Sequence, residues 1–545
     1  MGCTSIPYSR VPKASVLLTD YLYHFDRVAR FYGAAPFDSA GIQQTARKLQ
    51  FPETARRKIA EILVRQNQAF GAGEETRANI QRLAEPGTVA VVTGQQAGLF
   101  GGPAFTLYKA LTAVRMAQSL TEKGTNAVPV FWLATEDHDL EEVAHAAVLD
   151  ESYDLVALRE AGAPPAERSS VGVVQLTAAT TEALGKLESL LPPGEPRERL
   201  MNDLRECYAA GATWGQAFGR FMARLFSRWG VVLLDPLDAQ VHQLAAPVYE
   251  RALSKAGDLR EKLLARSAEL IRAGYHAQVH IPEDSTLVFI TREGNRLPLH
   301  QRNGDFVFDE TKKCSCADLL KEVGSRPIDF SPNVLLRPVV QDALLPTAVY
   351  VAGPSELTYF AQAQTLYAEF GRPMPVILPR AAFTLVDRRV HRLMEKYQVS
   401  AEDVWQGREH LNKKIAAAGF SGGGAQGWSQ RFDESERDLQ ALLERLEREI
   451  QSLDPTLLDS LRHTEEKMKY QMEKLRGKIS RSALQKSELL ARHEETLQRF
   501  LSPRKDLQER EVSGIYFLGR AGYDLLDRLL HQIQLNSSDH QVLIY

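Results

Sequence analysis

A short apolar run, a glycine-rich turn, a helical pattern and a second apolar run follow one another in this chain, and no other feature constrains its fold as strongly. The apolar runs occupy residues 88–93 and 128–134. Uninterrupted runs of this kind are typical of parallel strands that are covered on both faces. Between them, Pro103 is tolerated at the start of a helix, and apolar residues continue at helical spacing. The pattern predicts a βαβ unit in a doubly wound, parallel α/β sheet.

The same pattern returns after an interruption. Residues 231–234 and 347–352 are further apolar runs, and a helical pattern over 355–370 leads to another run at 375–378. We therefore expect a core sheet that is split by two inserted segments, each a smaller α and β subdomain. We divide the chain into N-terminal helices with the first half of the core (1–150), a first insertion (151–230), a core strand (231–240), a second insertion (241–335), the second half of the core (336–385) and a helical C-terminal segment (386–545).

The C-terminal segment carries the apolar spacing of a coiled coil. After a glycine-rich stretch at residues 421–424, leucine and isoleucine alternate at intervals of four and three, and a second stretch follows Pro455. Charged helices with an apolar seam are more often structural than catalytic, so we assign this segment to oligomerisation or to bracing the core. The seam positions are Leu439, Leu443, Leu446, Ile450, Leu453, Leu457, Leu461, Met468, Met472, Leu475 and Ile479.

Charge and apolar composition exclude several classes of function. The chain has 66 basic and 69 acidic residues and a net charge of -3, so no global field recruits nucleic acid or an anionic membrane. No apolar run approaches the roughly 18 to 20 residues that span a bilayer. Four cysteines are too few for a disulfide scaffold in 545 residues, which fits a reducing compartment. We expect a cytoplasmic protein that binds neither nucleic acid nor a membrane.

Three segments follow predicted strands, at the edge where open α/β sheets bind ligands. The first, residues 93–103, combines four glycines with paired glutamines. Glycines let the backbone approach a ligand, free amides at a helix start favour an anion, and glutamine forms hydrogen bonds without charge. The alternative is a tight turn in which glycine serves conformation only. The candidate ligand-binding residues here are Thr93, Gly94, Gln95, Gln96 and Gly98.

The second segment places Glu136, Asp137 and His138 directly after the run at 128–134. With Asp139 they put three carboxylates around one imidazole, which is costly unless a cation binds or some of them face solvent. Such a group could hold a substrate ammonium or a magnesium ion, or could form a general base in which a carboxylate orients His138. The alternative is an acidic helix N-terminus capped by Asp139. We treat Glu136, Asp137 and His138 as candidate catalytic residues.

A zinc site is a further alternative at this segment. His145 lies seven residues after His138, which on a helix would place it two turns on and roughly on the same face, with Glu142 nearby. No standard zinc spacing supports this set. We predict no metal ligand here.

The third segment joins two stretches of the chain, residues 331–342 and 353–356. Arg337 stands among apolar residues and prolines, where its guanidinium could bind a carboxylate or phosphate through two parallel hydrogen bonds. An ordinary structural ion pair is the alternative. Ser355 with Glu356 could cap the helix that starts there, with Tyr359 one turn further on. The candidate substrate-binding residues of this segment are Asn333, Arg337, Gln341, Gly353, Ser355 and Glu356.

Four motifs stand out along the chain: TGQQAGLFGGP at 93–103, PVFWLATEDHD at 129–139, SPNVLLRPVVQD at 331–342 with VAGPSELTYFAQ at 351–362, and PRKDLQER at 503–510. Together they resemble the BshC family, the cysteine ligases of bacillithiol biosynthesis. They occur in the right order, and the resemblance covers the chain from about residue 15 to its end. It implies a Rossmann-like core with two connecting-peptide insertions and an α-helical coiled coil that forms a homodimer.

The resemblance also implies a reaction. The family is expected to join the carboxyl group of L-cysteine to the free amine of glucosaminyl-malate, the last step toward bacillithiol. The family is similar in architecture to class I aminoacyl-tRNA synthetases and to the mycothiol cysteine ligase, yet this chain has neither a HIGH nor a KMSKS signature. The sequence therefore displays no ATP site, and a cofactor such as ATP or another nucleotide with Mg²⁺ stays unassigned.

Amide formation requires an activated carboxyl group, a deprotonated amine and stabilisation of an oxyanion. Our hypothesis is that the amides of residues 94–98 and the side chains of Gln95 and Gln96 hold an anionic or carbonyl group. Glu136, Asp137 and His138 would bind the ammonium group or take its proton. Arg337 would hold a malate-type carboxylate.

Two other functions stay open from the sequence. A nicotinamide dehydrogenase would use Glu136 on a ribose, but the first loop does not spell G-x-G-x-x-G, because Gln96 occupies the position of the second glycine. A coiled-coil scaffold with a nucleotide-sensing head is the non-enzymatic alternative. It has no need of polar, glycine-rich loops at three strand ends.

Overall fold

The computed structural model describes residues 3–309, 312–419, 426–485, 487–537 and 539–545. Strands and helices alternate through the first two thirds of the chain, and helices dominate the last third. In chain order the strands are β1 (Cys3–Ile6), β2 (Val89–Gln96), β3 (Ala127–Ala134), β4 (His145–Leu149), β5 (Leu155–Arg159), β6 (Val232–Leu234), β7 (Ser285–Arg292), β8 (Asn295–Arg302), β9 (Asp305–Asp309), β10 (Lys312–Cys314), β11 (Phe330–Pro332), β12 (Thr347–Ala352), β13 (Val376–Pro379), β14 (Ala382–Val386) and β15 (His540–Ile544).

The α-helices are α1 (Val16–Tyr23), α2 (Ser39–Lys48), α3 (Glu53–Ala69), α4 (Glu74–Ala84), α5 (Phe105–Glu122), α6 (Leu140–Val143), α7 (Ala179–Leu190), α8 (Glu195–Cys207), α9 (Trp214–Leu225), α10 (Ala239–Ser254), α11 (Ala256–Arg272), α12 (Cys316–Ser325), α13 (Arg337–Leu344), α14 (Pro354–Glu369), α15 (Arg388–Tyr397), α16 (Ala401–Trp405), α17 (Arg408–Gly419), α18 (Gln426–Leu453), α19 (Leu458–Gln485), α20 (Glu488–Leu501), α21 (Gln508–Glu511), α22 (Gly514–Ala521) and α23 (Asp524–Gln532). Short 3-10 turns link several of them.

A five-stranded parallel sheet forms the core, in the order β13-β12-β2-β3-β6. Its strands are almost wholly buried, because helices cover both faces. The connection from β2 to β3 passes through α5, and that from β12 to β13 passes through α14. The predicted Rossmann-like, doubly wound sheet is therefore confirmed.

Two details at β2 and the helix that follows it differ from the expectation. Strand β2 continues past residue 93 to Gln96, which pairs with Ala134 of β3, so both glutamines belong to the strand. Gly94 permits this pairing, because a Cβ atom there would lie 3.0 Å from the carbonyl oxygen of Trp132. Helix α5 begins at Phe105, two residues after Pro103, whose backbone bridges to Ser513 instead.

Helix α3 closes one edge of the core sheet with side-chain amides. The Asn67 amide donates to the Leu233 carbonyl at 2.8 Å and accepts from the Leu233 amide at 2.9 Å. Gln66 makes the same pair of bonds with the backbone of Asp235, at 2.9 Å each. These bonds satisfy the backbone groups along the otherwise unpaired edge of β6, so no further strand is required there.

Two large segments interrupt the core sheet. Between β3 and β6 lie the β4-β5 hairpin and helices α7 to α9. Between β6 and β12 lie α10 to α13 and an antiparallel sheet in the order β10-β9-β8-β7-β11. This is the arrangement expected for two insertions, whose boundaries stay predictions.

The C-terminal part attaches to the rest of the chain through a small mixed sheet. In this sheet β15 lies between β1 and β14, antiparallel to β1 and parallel to β14. Its hydrogen bonds join residues 3–6 to residues 540–543. The two ends of the described chain are thus held in one sheet.

Helices α18 and α19 form a hairpin, joined by a short turn at Pro455. Each has 28 residues and is therefore about 42 Å long. Arg476 of α19 pairs across the hairpin with Asp433 at 2.8 Å and with Glu436 at 3.5 Å. The coiled-coil expectation is confirmed, whereas the glycine-rich stretch at 421–424 lies outside the described residues.

The predicted seam of this hairpin is only partly buried. Leu443 is buried, but Leu446 is 37% exposed and Leu453 is 83% exposed. Met468 and Leu475 of α19 are also exposed. Within one chain the hairpin therefore leaves much of its apolar surface uncovered. No helix among the described residues is long and apolar enough to cross a membrane.

Candidate functional site

A cavity of about 650 Å³ opens at the carboxyl ends of β2, β3 and β12. This is the point where the chain order of the sheet reverses, because β3 lies on one side of β2 and β12 on the other. Open α/β sheets bind their ligands at such a point. Residues from all three predicted segments meet in its wall: Gly94, Gln95, Gln96, Glu136, Asp137, His138, Asn333, Arg337, Gly353, Ser355 and Glu356.

Three predicted residues lie outside the cavity lining. The Thr93 hydroxyl is fully buried and donates to the Val351 carbonyl at 2.9 Å. Gln341 is also fully buried and accepts a bond from Arg337. At Gly98 a Cβ atom would lie 2.7 Å from the Gly102 Cα atom, and the Gly98 amide donates to the Gln96 carbonyl at 2.8 Å. The expectation of a free amide at Gly98 is therefore wrong, because the tight turn uses that amide itself.

The paired glutamines connect the first segment to the second and to α5. Gln96 donates to Asp137 at 2.8 Å and to Glu142 at 2.7 Å. Gln95 accepts a hydrogen bond of 3.1 Å from Lys109. Their amide groups thus hold charged side chains in place around the cavity, as uncharged partners with both donors and acceptors can do.

Lys109 is a cavity residue that the sequence analysis missed. It is 2% exposed and forms an ion pair with Glu356, whose carboxylate also accepts bonds of 2.7 Å from Tyr350 and from the Gly353 amide. Burial lowers the pKa of Lys109, although Glu356 opposes this. Burial raises the pKa of Glu356, but Lys109 and the hydrogen bonds from the Gly353 amide and Tyr350 together keep that pKa below its usual value. Glu356 is therefore an ionised carboxylate that caps α14.

Arg337 begins α13 and extends into the cavity. It donates to the hydroxyls of Tyr350 and Tyr359, both at 3.1 Å, and to Gln341 at 3.0 Å. Asn333 shapes the start of the helix by accepting from the Leu335 and Leu336 amides. These partners are uncharged, so the described residues provide no structural ion pair for Arg337. Burial lowers the pKa of Arg337, but Tyr350, Tyr359 and the nearby carboxylate of Glu356 together hold it above its usual value.

Glu136 lies at the back of the cavity and is 7% exposed. Its Oε1 atom has no hydrogen-bond partner among the described residues, and the nearest ring nitrogen, Nε2 of His242, is 3.7 Å away. Burial raises the pKa of Glu136 to about 7, with Arg296 opposing the shift and Asp235 adding to it. A carboxyl group with a pKa near neutrality can both take and give a proton.

His138 lies between two arginines that the sequence analysis did not predict. Arg296 approaches its Nδ1 at 3.1 Å, and Arg168 approaches its Nε2 at 3.2 Å. Burial lowers the pKa of His138, and Arg296 lowers it further. A neutral imidazole has one acceptor nitrogen, so only one of the two arginines can donate to it at a time. His138 is therefore neutral near pH 7, and a guanidinium beside it is left for an anion.

The two arginines come from the two inserted segments. Arg168 precedes α7, and Arg296 lies on β8. The Arg296 amide donates to the Arg168 carbonyl at 2.9 Å, so the segments contact each other beside His138. Arg296 is fixed further by Ser331 at 2.9 Å and by stacking on Phe289 at 3.8 Å. No local sequence pattern indicates this contact.

The zinc alternative fails on secondary structure. Helix α6 has one turn, and Asp139 caps it by accepting from the Glu142 amide at 3.1 Å. His145 begins strand β4, opposite Arg159 of β5, so it does not share a helix face with His138. Across the part of the chain that the structure describes, no group of three His, Cys, Asp or Glu side chains is placed to hold a metal ion.

A second buried ion pair supports the floor of the cavity. Arg380 lines the cavity and donates to Glu509 at 2.7 Å, and both side chains are almost fully buried. Glu509 also accepts from the Phe383 amide at 3.0 Å. Glu509 belongs to the segment at 503–510, so this C-terminal segment completes a site that is otherwise built from the core.

A cavity with charged side chains at the switch point of a parallel sheet, joined to a helical hairpin, defines a Rossmann-like protein with the site of an enzyme. Residues 1–381 match the family model "Bacillithiol biosynthesis BshC, N-terminal Rossmann-like domain", and residues 383–545 match the model of its C-terminal coiled-coil domain. The chain belongs to the BshC family.

Curated relatives match over the full length of the chain. One from Solibacter usitatus is 37% identical and covers 100% of both chains. Others from Koribacter versatilis and Salinibacter ruber are 36% and 33% identical and cover 96% and 98% of both chains. All three are named "Putative cysteine ligase BshC". The family and these names support a ligase of bacillithiol biosynthesis over the dehydrogenase and scaffold alternatives.

Proposed function

We propose that this protein joins the carboxyl group of L-cysteine to the amine of glucosaminyl-malate, the last step of bacillithiol biosynthesis. One observation carries the proposal: a single cavity combines the guanidinium groups of Arg296 and Arg337 with the carboxyl group of Glu136. The two guanidinium groups suit the carboxylates of a malate group, and the carboxyl group of Glu136 suits the proton of an ammonium group.

Arg337 is proposed to hold a malate carboxylate. Its partners Tyr350, Tyr359 and Gln341 fix the guanidinium plane but bring no negative charge. A bound carboxylate would therefore be the first anion in direct contact with it, in a cavity where water is partly excluded. The second malate carboxylate would lie toward Arg296 and Arg168, beside the neutral His138.

Glu136 and Asp137 are proposed to receive the substrate amine. An ammonium group near two carboxylates is attracted before it reacts, and Glu136 has a pKa near that of a base acting at neutral pH. His138 is proposed to orient the arginines, because its lowered pKa disfavours the imidazolium form.

Activation of the cysteine carboxyl calls for a phosphoryl or nucleotidyl donor, such as ATP with Mg²⁺. The amides of the glycine-rich turn do not fit a phosphate, because those of Gly98, Gly101 and Gly102 donate to carbonyls within the turn. An assay of the reaction therefore supplies ATP and Mg²⁺ as separate additions.

The proposed reaction is tested by incubating the protein with L-cysteine and glucosaminyl-malate, with and without ATP and Mg²⁺, and measuring the product by mass. We expect product from the wild-type chain. Arg337→Ala is expected to raise the KM for glucosaminyl-malate by at least about tenfold, because a charged hydrogen bond contributes on the order of 1.5 to 3 kcal/mol. Its effect on the KM for L-cysteine should be smaller.

His138→Ala belongs in the same series, with Arg266→Ala as a control that removes a partly buried arginine remote from the cavity. Absence of product under every condition would refute the proposed reaction. Unchanged product formation in both Arg337→Ala and His138→Ala would refute the assignment of the site.

We further propose that the protein is a homodimer formed through α18 and α19. The exposed leucines of their seam support this, because coiled-coil seams are apolar where a second helix covers them.

A cytoplasmic location is proposed as well. It is supported by Cys3, Cys207, Cys314 and Cys316, which are all free thiols and would persist in a reducing compartment.

Light scattering after size exclusion is expected to give twice the 60.9 kDa mass of one chain. The double variant Leu446→Glu with Leu453→Glu should shift the protein to monomer, since it places charges in the seam. Leu264→Glu on α11 is the control, because Leu264 is as exposed as Leu446, at 37%. A wild-type monomer, or a double variant that stays dimeric, would contradict this interface.

A further inference from the structure

We propose that His242 is a positioning residue that holds the carboxyl group of Glu136 so that Glu136 acts as the proton acceptor for the substrate amine. This inference rests on the proposed ligase function and adds a residue to it. His242 belongs to none of the segments that the sequence analysis selected, and it lies behind the cavity wall.

The geometry places His242 directly against Glu136. His242 lies on α10 and is 2% exposed, and its Nε2 atom is 3.7 Å from Oε1 of Glu136. Both atoms are buried without a hydrogen-bond partner among the described residues. Two unpaired buried polar atoms that face each other are costly, at about 1 to 3 kcal/mol each. A hydrogen bond between them is the simplest way to remove that cost.

A small movement suffices to form this bond. An N–H to oxygen hydrogen bond needs a separation of about 2.7 to 3.2 Å, so the two groups must approach by roughly 0.5 to 1 Å. Catalytic hydrogen bonds are often long without substrate and shorten when substrate binds. With Nε2 donating to Oε1, the other carboxylate oxygen of Glu136 is left to face the cavity.

Burial keeps the imidazole neutral in spite of the carboxylates nearby. Burial lowers the pKa of His242 to about 4, although the Phe330 carbonyl, Asp238 and Asp329 act in the opposite direction. On the Glu136 side, the groups that face the carboxyl are Arg296, Asp235, Arg337 and Tyr249. A neutral histidine can donate one hydrogen bond without forming an ion pair.

A comparison with Glu356 shows why a neutral partner matters. Both carboxyl groups line the same cavity. Lys109 holds the pKa of Glu356 below its usual value, whereas the pKa of Glu136 is raised to about 7. A cationic partner would make Glu136 too weak a base to take a proton from an ammonium group. A neutral donor such as His242 fixes the position of Glu136 and lowers its basicity far less than a cation would.

The proton transfer balances with these groups alone. One N–H bond of the substrate ammonium breaks, and its proton forms an O–H bond with the free carboxylate oxygen of Glu136. The electron pair of the broken bond stays on nitrogen, where it can attack the activated carboxyl carbon. The single positive and single negative charges become two neutral groups, so no further reactant is required for this step.

Two substitutions of similar polarity test the role of His242. In His242→Gln the side-chain amide can bring an N–H near the position of Nε2, whereas in His242→Asn it falls short of Glu136. The readout is the pH profile of kcat between pH 5.5 and 9, because kcat reports the ionisation of groups in the enzyme–substrate complex. We expect His242→Asn to move the acidic limb upward by about one pH unit, because the ionised carboxylate loses a hydrogen bond. His242→Gln should stay near the wild-type profile.

His540→Asn is the matched control. His540 is also fully buried, has a pKa lowered to about 4, and shares one hydrogen bond of 2.8 Å with Thr384, but it does not line the cavity. Its replacement should lower the melting temperature without moving the pH profile. A His242→Asn profile that coincides with the wild type would overturn the inference.

A second readout does not depend on turnover. The carboxyl band that is present in the infrared spectrum of the wild type and absent in Glu136→Gln reports the titration of Glu136 directly. With glucosaminyl-malate bound, we expect this band to titrate about one pH unit higher in His242→Asn than in the wild type. If no product forms but this shift appears, the proposed reaction fails and the His242 contact stands; if product forms and the shift is absent, the contact fails alone.

Discussion

Glu136→Gln is expected to lower kcat for cysteine ligation by about 10² to 10⁴-fold, the range that a positioned general base contributes. Glutamine keeps the shape of the side chain but cannot accept the proton of the substrate amine. The KM values for L-cysteine and glucosaminyl-malate should change much less, because the arginines that we assign to binding are untouched. Steady-state kinetics at saturating substrate separates the two effects.

The same substitution is expected to stabilise the protein at pH 8. The pKa of Glu136 is raised to about 7 in the folded state, above roughly 4.3 in the unfolded chain. Between these values the folded state holds a proton that the unfolded state has lost, so the contribution of Glu136 to stability falls as the pH rises through this window. Glu136→Gln removes that loss, and its melting temperature should exceed that of the wild type at pH 8 but not at pH 4.

Glu494→Gln is the control for the loss of activity. Glu494 is 2% exposed, and its pKa is also raised by burial, but it pairs with Arg408 in the C-terminal helices. It should leave kcat unchanged. Wild-type activity in Glu136→Gln would rule out Glu136 as the base, and the acidic cluster beside it would then have to supply another group.

Arg380→Met is expected to lower the free energy of unfolding by about 3 to 5 kcal/mol, because it leaves the Glu509 carboxylate buried without its partner. The side chains of this pair are 3% and 0% exposed, so water cannot replace the guanidinium. The loss should appear as a lower urea midpoint for the transition that unfolds the parallel sheet. The Glu509 carboxylate also holds the Phe383 amide, so β14 should loosen in the same transition.

Two further variants separate the cost of the unpaired charge from the cost of lost packing. In Arg380→Met with Glu509→Leu both charges are gone, and we expect much of the lost stability to return. In Arg205→Met the broken pair is with Glu188, and the two side chains are 48% and 40% exposed, so a smaller loss of about 1 kcal/mol or less is expected. Equal losses in Arg380→Met and Arg205→Met would contradict the role of burial.

The core of the fold could be predicted because its signals are local. The apolar runs that became β2, β3, β6 and β12 are continuous, as doubly covered strands require. Once the strands are known, the rule that ligands bind at their carboxyl ends brings distant loops together. Eleven predicted residues line the cavity for that reason, among them Glu136 and Arg337.

The missed residues depend on contacts that no local pattern encodes. Arg168 and Arg296 reach His138 only because the two inserted segments contact each other. His242 approaches Glu136 from α10, more than a hundred residues further along the chain. The sequence did contain an indication of Lys109, because this residue is a lone cation on the buried side of the helix after the glycine-rich turn. A charge at such a position requires a buried partner.

The small sheet of β1, β15 and β14 has a consequence for dividing this protein. Strand β1 comes from the part that matches the Rossmann-like model, whereas β14 and β15 lie in or at the start of the part that matches the coiled-coil model. Residues 383–545 produced alone would keep β15 but lose the strand that covers one of its edges. An uncovered edge is a template for pairing between copies, so the separated piece would tend to aggregate. The two matched parts are better regarded as one cooperative unit than as modules that can be exchanged.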